Sequence, residues 1–348
     1  MFNLDNLLRE NIKNVVPYAS ARDEYKGSEG IFLDANENPL GAVCGGEYNR
    51  YPDPLQRDLK EKIAGLKRVH PSQIFLGNGS DEAIDLLMRA VCNPGKDNII
   101  ITPPTYGMYE VSAGINDVKV KEVPLTEEYQ LQPENVLKAV DANTKIIFLC
   151  SPNNPTGNIL NTADIKKVVE GFNGLVVIDE AYIDFAPGQS FLTYLNQYPN
   201  LIVLQTFSKA WGLAGLRLGM AFASEAIIKV YNKIKFPYNV NVETQRLAMK
   251  ALDNLLQKEK MVEEILDERE KLVNELKNLD QVIKIFPSHA NFILVKTKDG
   301  RKVYEYLVSK QIITRDRSKV ALCEGSLRIS IGTAEENKKL VEALKQYK

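Results

Sequence analysis

Six short apolar segments in the first two thirds of the chain constrain its fold more than any other feature. They are rich in β-branched and aliphatic residues, and stretches with helical periodicity separate them. They lie at residues 73–76, 98–102, 145–150, 175–178, 201–205 and 218–223. This alternation is typical of βαβ units that build a parallel sheet, and strands that are apolar on both faces need helices on both sides. The sequence therefore predicts an α/β fold with a mostly parallel sheet flanked by helices.

A second, smaller lobe is predicted after this region. A long stretch of helical periodicity begins at about residue 242 and predicts a helical link between two lobes. Beyond it we predict strands at 291–295 and 326–331, a helix at 301–308, and a closing helix that begins with a capping box of Thr333 and Glu336. A chain of 348 residues also exceeds the size at which one core usually stops growing. We therefore predict a large domain over 45–245, and a smaller α+β domain over 246–348 that packs with an N-terminal arm, 1–44.

The composition narrows the class of partner. Lys and Arg number 44 against 45 Asp and Glu, so a net charge of −1 provides no broad basic surface for nucleic acid or anionic lipid. The four cysteines are far apart and only two histidines are present, so we predict no metal site. Residues 1–30 contain no continuous apolar segment, and apolar runs elsewhere are too short to span a bilayer. We expect a cytoplasmic protein that binds small molecules, with no nucleic-acid or membrane partner.

Lys209 lies in the strongest local motif, Thr206-Phe207-Ser208-Lys209-Ala210, directly after a predicted strand. At the edge of a sheet, among small residues, an amine with a lowered pKa could form a Schiff base with an aldehyde cofactor. A solvated loop lysine is the commoner explanation of a lysine taken alone. The assignment therefore depends on the residues that surround Lys209.

Asp179 ends a fully apolar predicted strand, so its carboxylate is placed where it needs a cationic partner. A protonated pyridine nitrogen supplies such a partner, and Tyr182, three residues on, can hydrogen-bond a hydroxyl on the same ring. Acidic pairs at strand ends also serve nucleotide-hydrolysing folds. That alternative is disfavoured because the chain has no phosphate-binding loop of the Gly-x-x-x-x-Gly-Lys-Ser/Thr type.

Three further turns are suited to the same kind of ligand. The turn at 151–157 directs a side-chain amide above the sheet, although turn chemistry alone explains its composition. The turn at 76–82 exposes backbone N–H groups at a helix start, which suits a phosphate but is weak evidence by itself. Tyr106 can stack on a flat ring, although a buried loop tyrosine is more common.

In this order the motifs resemble those of the fold-type I pyridoxal phosphate aminotransferases, and more closely those of the histidinol-phosphate aminotransferases. The resemblance covers nearly the whole chain. The matching segments are 16–18 (VPY), 33–39 (LDANENP), 50–53 (RYPD), 77–82 (GNGSDE), 104–109 (PTYGMY), 151–157 (SPNNPTG), 179–182 (DEAY), 208–210 (SKA), 315–317 (RDR) and 327–332 (LRISIG). An ordered series of this length is far more specific than any single motif.

The resemblance implies a role for each cofactor residue. Lys209 would carry pyridoxal 5′-phosphate as a Schiff base and move protons, and Asp179 would pair with the pyridine nitrogen. Asn154 and Tyr182 would bind the phenolic oxygen, and Tyr106 would stack on the ring. The cofactor phosphate would be held by Gly79, Ser80, Thr206, Ser208 and Arg217. Tyr51 would reach the cofactor phosphate of a neighbouring subunit, which implies a homodimer with shared active sites.

The resemblance also implies the substrates. Arg315 and Arg328 would clamp the carboxylate of glutamate or the phosphate of histidinol phosphate, since a guanidinium binds either anion through two hydrogen bonds. Tyr18 and Asn36 would close over the substrate. Without the resemblance, surface ion pairs are the preferred explanation of both arginines. The implied reaction transfers an amino group between glutamate and imidazole acetol phosphate, a step of histidine formation.

Three alternatives remain open on the sequence. A threonine-phosphate decarboxylase or an aromatic amino-acid aminotransferase would share Lys209 and Asp179 on the same scaffold. A non-catalytic regulatory domain that binds the cofactor is disfavoured because no DNA-binding module or basic segment is visible.

Overall fold

A seven-stranded sheet forms the centre of the larger domain in the computed structural model, which describes residues 2–18 and 30–347. Its strands are β1 (Ile74–Asn78), β2 (Asn98–Ile101), β3 (Lys119–Glu122), β4 (Thr144–Cys150), β5 (Leu175–Asp179), β6 (Leu201–Thr206) and β7 (Leu218–Ala223). The spatial order is β1-β7-β6-β5-β4-β2-β3. Only β7 is antiparallel to its neighbours, β1 and β6, so the prediction of a mostly parallel sheet is confirmed.

Helices cover both faces of this sheet. In order, the helices are α1 (Leu4–Leu7), α2 (Glu10–Asn14), α3 (Arg57–Lys67), α4 (Gly79–Val91), α5 (Met108–Ile115), α6 (Pro133–Lys138), α7 (Thr162–Gly171), α8 (Glu225–Ile234), α9 (Val242–Leu252), α10 (Leu255–Leu276), α11 (Gly300–Ser309) and α12 (Ala334–Lys345). Along β5, Val176 and Ile178 pack into one core with α3, α7 and α9. Leu175 and Val177 pack into a second core with α4, α5 and α8. Strands apolar on both faces therefore separate two helical layers.

The smaller domain is built on a four-stranded antiparallel sheet. Its strands are β8 (Val282–Ile285), β9 (Phe292–Thr297), β10 (Arg315–Asp316) and β11 (Ser326–Ser330), in the order β10-β11-β9-β8. Side chains of α10, α11 and α12 complete its core. The predicted capping box is present at the start of α12, where Thr333 Oγ1 accepts from Glu336 N at 3.3 Å and Glu336 Oε2 accepts from Thr333 N at 2.8 Å.

The helical stretch after residue 242 consists of two helices, because the chain turns between α9 and α10. Ala248 and Leu252 of α9 belong to the core of the larger domain. Along α10, Val262 packs beside Tyr182, whereas Leu272 lies in the core of the smaller domain. The link between the lobes is therefore α10.

The N-terminal helices lie against the larger domain, which differs from the expectation that residues 1–44 pack with the smaller one. Phe2, Leu4, Leu7 and Leu8 pack against the core that contains α4 and α8. The Arg9 N–H donates to the carbonyl of Ala90 at 3.0 Å, at the end of α4. The reason is the amphipathic pattern of this segment, which supplies an apolar face for that core. No helix in the described residues is long and apolar enough to cross a membrane.

Candidate active site

The candidate site lies where the carboxyl ends of β4, β5 and β6 meet the start of α4. Open α/β sheets bind ligands at such an edge because the loops after parallel strands converge there. A cavity opens at this point. Ten residues chosen from the sequence line it: Gly79, Ser80, Tyr106, Asn154, Asp179, Tyr182, Thr206, Ser208, Lys209 and Arg217.

Lys209 lies in the loop after β6, with its Nζ 5.4 Å from the centroid of the Tyr182 ring. Burial is the main cause that lowers the pKa of Lys209, and the positive charge of Arg328 lowers it further. The carboxylate of Asp179 opposes this shift. A lower pKa leaves more of the amine neutral, and the neutral form is the nucleophile that attacks an aldehyde.

Asp179 is the last residue of β5 and is almost fully buried. Its Oδ2 accepts a hydrogen bond from the hydroxyl of Tyr109 at 2.7 Å, and its Oδ1 accepts from the Ala181 N–H at 3.1 Å. Burial raises the pKa of Asp179 to about 6, and the two hydrogen bonds oppose that rise because they stabilise the anion. A cationic ligand in the cavity would restore the ionised carboxylate.

The start of α4 has features that suit an anion. Gly79 has a φ of +73°, and its N–H donates to the carbonyl of Arg217 at 2.7 Å. The β7 strand passes so close beneath that a Cβ on Gly219 would lie 2.1 Å from the backbone nitrogen of Ser80. Arg217 pairs with Asp81 at 3.4 Å. A helix N-terminus beside a guanidinium attracts phosphate through both the exposed N–H groups and the charge.

Tyr106 and Asn154 border the middle of the cavity. The ring of Tyr106 meets that of Tyr109 edge-on, with centroids 5.6 Å apart. The Asn154 Nδ2 donates to the Tyr182 hydroxyl at 3.5 Å, and the Asn154 Oδ1 accepts from Arg328 Nη1 at 2.5 Å. Asn154 therefore connects the cavity around Lys209 with an arginine of the smaller domain.

A second cavity adjoins the first and shares Lys209, Tyr106, Asn154 and Tyr182 with it. Three arginines of the smaller domain line this second cavity: Arg315, Arg317 and Arg328. Arg315 and Arg328 are direct partners across β10 and β11. Sequence reasoning selected Arg315 and Arg328 for the substrate and gave no role to Arg317, although Arg317 lies in the same motif.

The remaining predicted residues do not join these cavities within one chain. Tyr51 is 52% exposed and stacks on Tyr238 with centroids 4.4 Å apart. Asn36 lines a separate cavity together with Tyr51. Tyr18 is 74% exposed. A single subunit therefore brings together the predicted cofactor residues except Tyr51, and the two predicted arginines, but not Tyr18 or Asn36.

The residues of the first cavity fit pyridoxal 5′-phosphate. A buried carboxylate that forms no ion pair in the described residues matches the pyridine nitrogen, and a phenol beside an amide matches the ring hydroxyl. The start of α4 with Arg217 matches the phosphate, and Lys209 lines the same cavity. Tyr109 completes this set through its contact with Asp179. The sequence signal for Tyr109 was its place in the matched segment 104–109.

Comparison with known proteins agrees with the fit of this cavity to pyridoxal 5′-phosphate. The family model for aminotransferases of class I and II matches residues 24–344. A histidinol-phosphate aminotransferase of Cytophaga hutchinsonii is 60% identical over 346 residues, which is 99% of each chain. The crystal structure of the histidinol-phosphate aminotransferase from Clostridium acetobutylicum is 26% identical, with a TM-score of 0.79 over 86% of this chain and 90% of that one.

A second solved structure, which contains the cofactor, has a similar fold. The histidinol-phosphate aminotransferase of Sinorhizobium meliloti, solved in complex with pyridoxal-5′-phosphate, has a TM-score of 0.80 at 23% identity. The match covers 90% of this chain and 89% of that one, and it shows the shared fold. By the family match and by its full-length identity to a curated relative, this chain belongs to the class I and II aminotransferases and, among them, to the histidinol-phosphate aminotransferases.

Proposed function

We propose that this chain is a cytoplasmic, homodimeric enzyme that uses pyridoxal 5′-phosphate to transfer an amino group between glutamate and imidazole acetol phosphate. The products are 2-oxoglutarate and histidinol phosphate. The observation that carries the proposal is that Lys209 lines both cavities. One cavity fits the cofactor and the other is lined by arginines, so Lys209 lies where a bound substrate would meet the cofactor.

Lys209 is the catalytic base of this proposal. When bound, pyridoxal phosphate supplies an electron sink that stabilises negative charge at the α-carbon of the substrate. Lys209 would hold the cofactor in the resting enzyme. With a substrate bound, the amine of Lys209 would take up the proton of the α-carbon at Nζ and pass it on, and its lowered pKa favours this role because the neutral amine is the base.

Asp179 and Tyr182 set the electronic state of the ring. An ionised Asp179 holds the pyridine nitrogen protonated, because a buried carboxylate and a pyridinium stabilise each other. Asn154 and Tyr182 would hydrogen-bond the phenolic oxygen, and Tyr106 would stack on the ring. The phosphate would be held by Gly79, Ser80, Thr206, Ser208 and Arg217, which line the same cavity.

Arg315 and Arg328 bind the substrate anion. The same cavity serves both half-reactions in turn, so the two guanidinium groups accept the glutamate carboxylate first and the phosphate monoester afterwards. Tyr18 and Asn36 close over the bound substrate. Their exposure in a single chain leaves both side chains free to move towards it.

The homodimer is supported by the exposed aromatic and aliphatic groups at the N-terminal side of the chain. Ile31, Leu33, Leu40 and Val43 are almost fully exposed. Exposed apolar groups in one region indicate a surface that another chain covers. Tyr51 lies in the same region and outside the cavity of its own Lys209. In the proposed dimer, Tyr51 contacts the cofactor phosphate of the neighbouring subunit.

The test is the absorbance of purified, cofactor-loaded enzyme while glutamate and, in a separate sample, histidinol phosphate are added. We expect each donor to convert the cofactor band in a single turnover, and glutamate to release one equivalent of 2-oxoglutarate per site. Conversion by neither donor would overturn the assignment as a transaminase. Release of carbon dioxide from threonine phosphate would favour the decarboxylase instead, and conversion by phenylalanine but not histidinol phosphate would favour an aromatic aminotransferase.

Lys209→Ala is the matching variant. It should lose the band of the lysine-bound cofactor and all turnover, whereas Lys229→Ala, at an exposed lysine of α8 that pairs with Glu225, should keep both. Full turnover by Lys209→Ala would contradict the role given to this lysine.

A further inference from the structure

Arg317 lies in the motif Arg315-Asp316-Arg317 and has a role in neither the family resemblance nor the proposed chemistry above. Its backbone N–H donates to the carbonyl of Ser326 at 2.9 Å, which continues the pairing of β10 with β11 by one residue. Alternate residues of a strand point to the same side, so Arg317 and Arg315 face one side and Asp316 faces the other. Asp316 pairs there with Arg301 at 3.4 Å. The carboxylate of the motif is therefore directed away from the cavity that both arginines line.

Glu110 and Glu122 also line this cavity, but neither forms an ion pair with its arginines in the part of the chain that the structure describes. Arg315 and Arg317 form no ion pair within residues 2–18 and 30–347, and the hydrogen bond of Arg328 goes to the neutral amide of Asn154. The Nε of half-buried Arg317 is shielded from solvent and has no hydrogen-bond partner in the described structure. Burial lowers the pKa of Arg317, and the charges of Arg328 and Arg315 lower it further.

An arrangement of this kind is unfavourable until an anion binds. Like charges directly opposite each other across two strands destabilise a sheet, and an unsatisfied buried donor adds a further cost. Two guanidinium groups suffice for a carboxylate with a single charge. A phosphate monoester carries about −1.5 to −2 at neutral pH and offers three acceptor oxygens, so it can engage a third guanidinium.

We propose that Arg317 is a specificity residue that binds the phosphate group of the phosphorylated substrate and contributes little to the binding of glutamate. This inference rests on the proposed function, because it assigns the third arginine to one of the two substrates that share the cavity. Arg317 is thus the group that distinguishes a dianion from a carboxylate in a site that must accept both.

The test compares the two half-reactions of the cofactor-loaded enzyme. Arg317→Met removes the charge and keeps an unbranched side chain, and Arg317→Lys keeps the charge but loses the planar fork. We expect kcat/KM for histidinol phosphate to fall about 10- to 100-fold in Arg317→Met, as for a lost hydrogen bond to a charged group. The glutamate half-reaction should change less than about threefold, and Arg317→Lys should lie between wild type and Arg317→Met.

A matched control and a binding measurement complete the test. Lys338→Met removes one positive charge from an exposed position of α12 in the same domain, outside the cavity, so both half-reactions should stay at wild-type rates. In a Lys209→Ala background, which blocks turnover, Arg317→Met should raise the Kd of histidinol phosphate, measured by calorimetry. The Kd of unphosphorylated histidinol should stay unchanged.

Equal losses in the two half-reactions, or an unchanged rate with histidinol phosphate, would overturn the inference. Failure of the proposed function is distinguishable, because it is seen in the wild type, before any variant is compared, as an absence of conversion by histidinol phosphate. Failure of the inference is seen only when kcat/KM of the Arg317 variants is compared with that of the wild type.

Discussion

The hydroxyl of Tyr109 donates a 2.7 Å hydrogen bond to the carboxylate of Asp179, and both side chains are buried. Tyr109 is held in place because its ring stacks on Phe148, with centroids 4.6 Å apart. The donor favours the ionised carboxylate, whereas burial disfavours it. Tyr109 is therefore positioned to set how strongly Asp179 binds a cationic ring.

Tyr109→Phe should weaken retention of pyridoxal phosphate about tenfold at neutral pH, since a hydrogen bond to a charged group is lost. The variant should also raise the pKa of Asp179 above its value of about 6. The cofactor binds the ionised form, so the ratio of the variant to the wild-type Kd should be larger at pH 6 than at pH 8. Equilibrium dialysis with absorbance detection at both pH values measures this ratio.

Tyr231→Phe is the control for Tyr109→Phe. Tyr231 is also buried, and its hydroxyl donates to the carbonyl of Ala83 at 3.1 Å, on the second helical layer. This substitution should lower thermal stability without a change in cofactor Kd. If Tyr109→Phe retains the cofactor as tightly as the wild type at both pH values, the role of Tyr109 is wrong.

The residues predicted for the cofactor come together at one cavity because several of them follow apolar strands. Asp179 and Lys209 are local to β5 and β6, and parallel strands bring their carboxyl ends to one edge. The contact of Tyr109 with Asp179 is different, since it joins α5 to β5 across 70 residues. Such a contact depends on the packing of a helix on the sheet, which no local pattern specifies.

Three edge strands also escaped prediction, because each is short and has no buried residue. β3, at Lys119–Glu122, alternates lysine with valine and glutamate. In β8, at Val282–Ile285, all four residues are exposed or partly exposed. Edge strands need no apolar face on both sides, and charged residues discourage further pairing. β10 spans only two residues, so its pairing comes from β11 and not from its own pattern.

Gly219→Ala should destabilise the enzyme and weaken cofactor binding. The added Cβ would lie 2.1 Å from Ser80 N and 2.2 Å from Gly79 C, and backbone atoms cannot move aside as a flexible side chain can. We expect a loss of about 1–3 kcal/mol, as for overpacked cores. Thermal unfolding and the Kd of pyridoxal phosphate measure the two effects.

Gly215→Ala is the matched control for Gly219→Ala, since a Cβ there would meet no atom within 4 Å. The control should retain wild-type stability and cofactor affinity. If the two variants behave alike, the close approach of β7 to the start of α4 does not shape the proposed binding site of the cofactor phosphate.

Mixing two inactive variants tests the assignment of Tyr51 to the neighbouring subunit. In a hybrid dimer of Tyr51→Ala and Lys209→Ala, one site combines the intact Lys209 of one chain with the intact Tyr51 of the other. Random assortment places half of the dimers in this class, so activity should rise to about a quarter of wild type. Activity no higher than the mean of the two parent variants would show that Tyr51 acts within its own chain.

Glu180→Gln should change how stability depends on pH. Glu180 is buried and accepts hydrogen bonds from Ser190 Oγ at 2.7 Å, Gln205 Nε2 at 2.8 Å and Phe191 N at 2.5 Å. Burial nevertheless raises its pKa from 4.5 to about 7. Between these pH values the folded enzyme therefore binds more protons at Glu180 than the unfolded chain does. The protonated Glu180 thus stabilises the fold, and this stabilisation is complete below pH 4.5 and is lost as pH rises through about 7.

The glutamine cannot titrate, so the stability of the wild type relative to Glu180→Gln should fall between pH 5 and pH 8, by up to about 3 kcal/mol for a buried shift of this size. Thermal unfolding midpoints at the two pH values measure the change, and the titration of Asp179 cancels because both proteins contain it. Glu61→Gln, at an exposed carboxylate of α3, removes the same charge and should show no such trend. A difference that stays constant or widens as pH rises would mean that Glu180 is ionised throughout this range, with its three donors outweighing the cost of burial.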